Sequence, residues 1–339
     1  MNASTERLRE LAHLPSAARS RRLATAIITL TIICPMLALA QVPPRFYWKS
    51  LSGANAVPVI YQSLSGNANP IDPAHVVSPD ADIEANVLVA GYAKMLPLFD
   101  RTLTLALLEP MGRISGEATV AGRTYDQDAN GFGDPMIEAG INLIGPKAMR
   151  TIPDLLRYEP KLSLDLIVDL AFPVGEYDND QPLNLGQNRW YGRVGAPLVW
   201  QIGSWVPGRR TTLEVLPSVW FFSDNDDYVG HTLSTDPMFQ LEAHLTRDFT
   251  EHFWGSLDST YMAGGKSSVD GVGGDSLNNL GIGFTLGYQI NDNLSLTAGY
   301  MATVNDSKPT DLRMDGFRLS LTYGWHKIVE GQKRLKSDE

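Results

Sequence analysis

Between Gly316 and Trp325 the chain alternates without a miss: Phe317, Leu319, Leu321, Tyr323 and Trp325 stand against Arg318, Ser320, Thr322 and Gly324. Successive side chains on a strand point to opposite sides, so this segment needs an apolar environment on one face and a polar one on the other. Its aromatic end suits a membrane interface. Open sheet edges are not tolerated in hydrocarbon, so a chain made of such strands must close on itself, with lipid outside and polar groups in the middle.

The N-terminus indicates where such a chain is sent. Arg19, Arg21 and Arg22 precede an apolar run from Leu23 to Leu37 that closes on Ala38-Leu39-Ala40, the pattern of a secretory signal peptide cleaved before Gln41. A retained anchor is the competing reading, since the run counted to Ala40 is about 18 residues long. The only cysteine, Cys34, lies in this segment behind Thr31, Ile32 and Ile33, which lack the small residue that a lipoprotein cleavage site needs. The mature chain then has no thiol, which removes disulfides and thiolate chemistry together. Losing the five Arg and two Glu of residues 1–40 takes the formal net charge from −10 to −13, against a nucleic-acid partner. After residue 40 no apolar run approaches the ~20 residues of a spanning helix.

Twelve strand-like segments of roughly 10 to 15 residues follow, about what a tilted strand needs to cross a bilayer. They cover 54–63, 82–95, 101–115, 133–144, 160–172, 188–201, 210–222, 235–247, 252–263, 277–289, 294–304 and 314–325. The expectation is an all-β, transmembrane antiparallel barrel over 54–325. A signal peptide (1–40) and a periplasmic segment or plug (41–53) precede it, and a periplasmic tail (326–339) follows. In the fifth segment Leu162, Leu164, Leu166, Val168, Leu170 and Phe172 take the lipid side, and Ser163, Asp165, Ile167, Asp169 and Ala171 the lumen. In the sixth, Trp190, Val194, Leu198 and Trp200 face out while Arg189, Tyr191 and Arg193 face in, so cross-strand ion pairs with the fifth are expected. Connections alternate short and long, except for Gly145 to Glu159, which puts both termini on the periplasmic side. Aromatics near strand ends, Trp220-Phe221-Phe222, Phe253-Trp254, Tyr323 and Trp325, read as interface girdles. A soluble sandwich could place aromatics in its core, but needs neither strands this long nor an even count.

Three short motifs carry a family resemblance: Ser52-Gly53-Ala54-Asn55-Ala56-Val57-Pro58, Gly131-Phe132-Gly133-Asp134-Pro135 and Phe172-Pro173-Val174-Gly175-Glu176-Tyr177. With these, most of the mature chain resembles the outer-membrane family of the MetA-pathway of phenol degradation. The resemblance implies an outer-membrane channel for uptake of aromatic or other apolar compounds. The chain departs from the usual pattern in carrying His326 to Glu339 beyond the terminal aromatic strand. Signals for the barrel-assembly machinery normally sit at the very C-terminus, so this tail bears on insertion rather than on fold.

Candidate functional residues fall into three groups. Lys161, Asp165, Asp169, Arg189, Arg193, Glu214, Glu242, His244 and Arg318 are expected to line the lumen and set selectivity by fixed charge. Phe46, Tyr47 and Trp48 give residues 41–53 aromatic bulk without a strand pattern, which reads as a plug or as a disordered periplasmic leader. Asp126, Asp128, Asn130 and Asp134 sit at positions 1, 3, 5 and 9 of a calcium-type loop with Gly131 at 6. Position 12 is Ile137 where a carboxylate belongs, so a polar outside loop turning at Asn-Gly competes with calcium, and no other cofactor is indicated. Acidic outside loops (Asp178, Asp180; Asp224, Asp226, Asp227) could share divalent cations with lipopolysaccharide, or simply be solvated. The mature histidines are scattered singly; His244, two residues from Glu242, is the best of them for barrel hydrolysis. The expected function is non-enzymatic: passive diffusion of a small, aromatic or apolar solute through an outer-membrane channel. A structural or adhesive barrel and an outer-membrane lipid hydrolase are the alternatives.

Overall fold

The computed structural model describes residues 42–305 and 311–331. The signal-peptide reading of 1–40, with Cys34, and the end of the C-terminal tail lie outside these residues. The wall strands are β1 (Asn55–Gly66), β2 (Ile83–Leu98), β3 (Arg101–Val120), β4 (Arg123–Phe132), β5 (Met136–Ile144), β6 (Leu162–Ala171), β7 (Tyr191–Gly195), β8 (Leu198–Ile202) and β9 (Thr211–Phe222). Further along come β12 (Met238–Asp248), β13 (Phe253–Gly264), β16 (Leu277–Gln289), β17 (Leu294–Thr303) and β18 (Met314–Trp325). A second, four-stranded sheet holds β10 (Asn225–Tyr228), β11 (His231–Thr235), β14 (Ser267–Val269) and β15 (Val272–Gly273).

The wall is a closed antiparallel barrel of twelve staves. β4 and β5 succeed each other along β3 on either side of Gly133-Asp134-Pro135, and β7 and β8 likewise make one stave broken at Ala196-Pro197. Prolines fit at these breaks because they cannot donate to the ladder. Closure comes from two seams: β1 pairs with β18 from Asn55 opposite Trp325 to Gly66 opposite Met314, and β9 pairs with β12. The first and last staves therefore begin and end at the same rim.

Side-chain parity follows the sequence pattern. Along β6 the leucines and Val168 are turned out while Ser163, Asp165, Ile167, Asp169 and Ala171 are buried inside; β12, β16 and β18 repeat the rule. Leu166, Val168, Leu257, Ile282, Phe284 and Leu321 belong to a broad exposed apolar belt. Water would not tolerate so large a patch, and hydrocarbon requires it. Tyr92, Tyr323 and Trp325 cluster at one rim, Phe172 against Trp190 elsewhere on the wall.

Several boundaries differ from the sequence expectation. Residues 116–132 do not form a loop: β3 runs on to Val120, and Asp126, Asp128 and Asn130 belong to β4. The turn is at Ala121-Gly122, both with positive φ (49° and 79°), the conformation a two-residue hairpin with matching twist needs. An Asn-Gly pair inside a strand misdirected the reading because Gly131 instead serves a close approach, its α-carbon facing the Glu176 carboxylate. The long connection 145–161 holds a six-residue helix, α1 (Ile152–Arg157), started by a Thr151/Asp154 capping box. Trp220 and Trp254 are not girdle residues: both point inward and are buried. The tail beyond Trp325 is partly ordered, with residues 327–331 helical and His326 buried against Ser52 O at 3.0 Å.

Candidate functional site in the barrel lumen

The inner wall has two unlike sides. On β1, β2 and β3 the inward positions are mostly apolar, with Pro58, Ile60, Val87, Val89, Leu108 and Pro110 bordering one cavity beside Gln62, and Thr102 and Thr104 facing another. From β5 round to β18 they carry Glu138, Asp169, Arg193, Glu214, Glu242 and Arg318. Both sides obey the same period of two; only the residue types differ.

Arg193 on β7 is the hub of the polar side. Its guanidinium bonds Asp169, directly across the β6–β7 ladder, donates to Glu242 Oε1 at 3.0 Å and stands 4.0 Å from Glu138. The Trp220 ring lies under it at 5.2 Å. All four charged side chains are at most 7% exposed, so each depends on the others for compensation. Glu138 escaped the sequence reading, although Glu138, Gly140 and Asn142 alternate with Ile137, Ala139 and Ile141; that parity was the available signal.

Residues 42–50 lie against these carboxylates. Val42 N donates to Glu242 Oε2 at 2.9 Å, Arg45 N to Glu214 at 2.9 Å, and Trp48 Nε1 to Glu214 Oε1 at 3.0 Å. The Arg45 side chain reaches Asp248 at 2.7 Å between the rings of Trp48 and Trp254, at 4.4 and 4.1 Å. Lys49 is ion-paired with Asp165, and Tyr47 OH donates to Glu138 Oε2 at 3.2 Å. Burial, and then Glu138, push the Tyr47 phenol well up, so it stays a donor. Phe46 packs edge-on against Tyr47. The sequence marks this segment only by what it lacks; its acid partners are about 90 to 200 residues away.

Other candidates are distributed differently. Arg189 joins no mid-lumen network: it is fully buried at the other end, bonded to both Asp72 oxygens (2.8 and 3.0 Å) and to Thr235 at 2.9 Å, over the Phe222 ring. Asp72 belongs to the connection 67–82, so this pair fastens that loop inward. Lys161 is exposed before the start of β6 and contributes nothing to the lumen contacts described. Arg318 is buried within the charge field of Asp258 and Glu242. The calcium-type set is dispersed: Asp126, Asp128 and Asn130 lie along β4, where Asp128 bonds Arg113 on the neighbouring strand, and Asp134, in the break after β4, accepts from the backbone N–H of Gly175 (2.9 Å) and Gln187 (2.8 Å). His244 pairs not with Glu242 but with Asp258, at 2.8 Å across β12–β13. Ser256 also donates to Asp258, at 2.5 Å, so serine and histidine share the acid; nucleophilic catalysis would need the histidine against the serine.

Three cavities succeed one another. One of about 450 Å³ sits under the loops beside Asp72, Tyr177 and Tyr228. A second, also about 450 Å³, lies at the opposite end between residues 43–50 and the wall. A chamber of about 240 Å³ has Val42, Pro43 and Phe46 on one side and Pro70, Ile71, Pro73 and His75 on another.

A family model described as "Putative MetA-pathway of phenol degradation" matches residues 65–321. The chain belongs to that family. Among solved structures, the COG4313 outer membrane channel from Pseudomonas putida F1 is similar at TM-score 0.66 and 23% identity, over 84% of this chain and 99% of that one. That likeness establishes the shared fold. The Pseudomonas putida toluene transporter TodX is a looser match, with TM-score 0.39 and 12% identity over 81% of this chain and 89% of that one. Comparison with curated proteins found no match.

Proposed function

We propose that the protein, after loss of residues 1–40, is a passive channel of the Gram-negative outer membrane for small aromatic or apolar solutes. The observation that carries this reading is the divided lumen: a greasy strip on β1–β3 faces an ion-paired wall, and cavities lie at both ends with the chamber between. A charged wall keeps the bore wet while the strip offers an apolar solute a low-energy track. Membership of the phenol-degradation family agrees with that chemistry. Both termini face the periplasm in this reading, lipopolysaccharide surrounds the loop end, and residues 42–50 narrow the bore.

The test is flux into liposomes across a panel of phenols, fatty acids and sugars. Phenols should equilibrate well ahead of sugars of similar size. Equal rates for all three classes would replace this reading with a general pore, and a sealed barrel in both flux and single-channel recording would replace it with a structural one.

A further inference from the structure

Glu109 stands on the outside of the barrel, within the apolar belt. Its chain neighbours Leu108 and Pro110 line the mid-lumen chamber, so the alternation of β3 turns the side chain between them to the lipid side, with Leu105, Leu107 and Met111. The ladder places it opposite Ala90 of β2. Outward Lys94, opposite Leu105, lies four positions below it on the register, at the rim marked by Tyr92 and Trp325. Outward Arg113, opposite Asn86, lies four positions above it and is ion-paired with Asp128. Glu109 is therefore midway between the polar edges of the belt on this side of the wall.

No hydrogen bond, ion pair or neighbouring charge reaches its carboxyl among the described residues. The outward hydroxyls of Tyr61 and Tyr92 on the adjacent staves donate elsewhere, to Asn86 at 2.7 Å and Asn55 at 2.8 Å. Nor is the carboxyl covered. Ala90 is too short to shield it on one side, and on the other the ladders of β3 with β5 and β4 stop at Leu108 and Met111, so no paired residue stands across from it. A carboxyl turned to hydrocarbon is costly, and such groups are kept where something pairs with them.

Two copies of this chain in one bilayer share depth and orientation. A two-fold axis along the membrane normal then sets each surface against its own counterpart, and on the β2–β3 face it brings one Glu109 to the other. Two carboxyls holding one proton between them serve each other as donor and acceptor. Val59, Leu105, Leu107 and Ile137 flank them with apolar surface already turned outward. Contact with the far wall would instead set Glu109 against Leu166, Val168, Leu257, Ile282 or Phe284, none of which can bond it.

We infer that the β2–β3 face around Glu109 is the contact surface for a second copy of this chain, with the two Glu109 carboxyls hydrogen-bonded to each other at the two-fold axis. This needs the barrel in its membrane and does not depend on what the channel passes.

The test is stoichiometry in lipid vesicles, counted by stepwise photobleaching of singly dye-labelled protein at low protein-to-lipid ratio. The unsubstituted chain should bleach in two steps. Glu109→Leu extends the apolar belt, should keep the heat-modifiable folded band, and should bleach in one step, with the dimer weakened roughly tenfold or more, the worth of an interchain hydrogen bond in hydrocarbon. Glu109→Gln, whose amide both donates and accepts, should stay dimeric. Cross-linking reads the location separately. Cys34→Ser leaves a chain without a thiol; in that background Ala90→Cys should form an oxidised dimer in vesicles, and Leu257→Cys, outward on β13, should not. Leu107→Cys, the outward neighbour on β3, serves if Ala90→Cys loses its folded band. One-step bleaching of the unsubstituted chain overturns the inference, whether or not a lipid then covers the carboxyl. So does a Glu109→Leu variant as dimeric as its parent, a Glu109→Gln variant as monomeric as Glu109→Leu, or a cross-link at residue 257 with none at the β2–β3 face.

Discussion

Replacing Arg193 by Met removes one guanidinium from among Asp169, Glu242 and Glu138 and leaves three carboxylates that are almost wholly buried. Unit charges at the observed 3.0 Å between Arg193 and Glu242 attract by roughly 5.5 kcal/mol at an effective dielectric of ~20, before the desolvation that offsets much of it. Breaking one partner out of a buried ion pair typically costs about 3–5 kcal/mol, because the remaining charge stays uncompensated. The expectation for Arg193→Met is therefore a loss of about 3–5 kcal/mol, read as the urea midpoint of the refolded barrel in lipid vesicles by tryptophan fluorescence. The triple variant Arg193→Met, Asp169→Asn, Glu242→Gln should recover most of that loss, since neutral partners no longer need the cation. A loss below ~1 kcal/mol, the size of an exposed pair, would refute the idea that this network is dry. So would a triple variant no more stable than the single one, for it would trace the loss to the arginine's packing against Trp220.

Three further outcomes are expected. Deleting residues 42–49 should raise single-channel conductance in planar bilayers, because it empties the space against Glu214, Glu242 and Asp248; unchanged conductance would mean that solute passes elsewhere. Arg45→Ala should raise the frequency of high-conductance events, since a charge-assisted bond of about 1.5–3 kcal/mol and two ring contacts of about 0.5–1 kcal/mol each go with it; the deletion variant carrying no such events would contradict this. Burial holds His75 below its ordinary value, so the loop 67–82 binds a proton more readily when released than when docked. Its hydrogen-exchange protection should be full above the ordinary histidine range near ~6.5 and fall as pH drops through and below it. His75→Phe should flatten that dependence, and an unchanged profile would assign the effect to another group.

The barrel itself was legible in the primary structure because lipid imposes a local rule. A strand with hydrocarbon on one side and polar groups on the other must alternate at every step, and Leu162 to Phe172 or Phe317 to Trp325 state that in their own order. Inward residues such as Asp165, Asp169, Arg193, Glu242 and Arg318 followed from parity alone. Parity also contained Glu138, which a strand with few charges made easy to overlook. What alternation cannot state is who meets whom across the bore. Arg189 and Arg193 are four residues apart, the first just before β7 and the second on it, yet the first fastens a loop through Asp72 and the second joins three acids from three other strands. Likewise, residues 42–50 obey no period, and their place is fixed only when wall positions from Glu138 to Asp248 converge on them. Trp220 and Trp254 read as girdle aromatics until closure turned them inward over Arg193 and Arg45. The sequence alone determined which face of each strand meets lipid, since that is a contest between neighbours in the chain. Only the closed barrel decided the ion pairs, the seated N-terminal segment and the chamber, because they depend on distances between groups that only ring closure makes small.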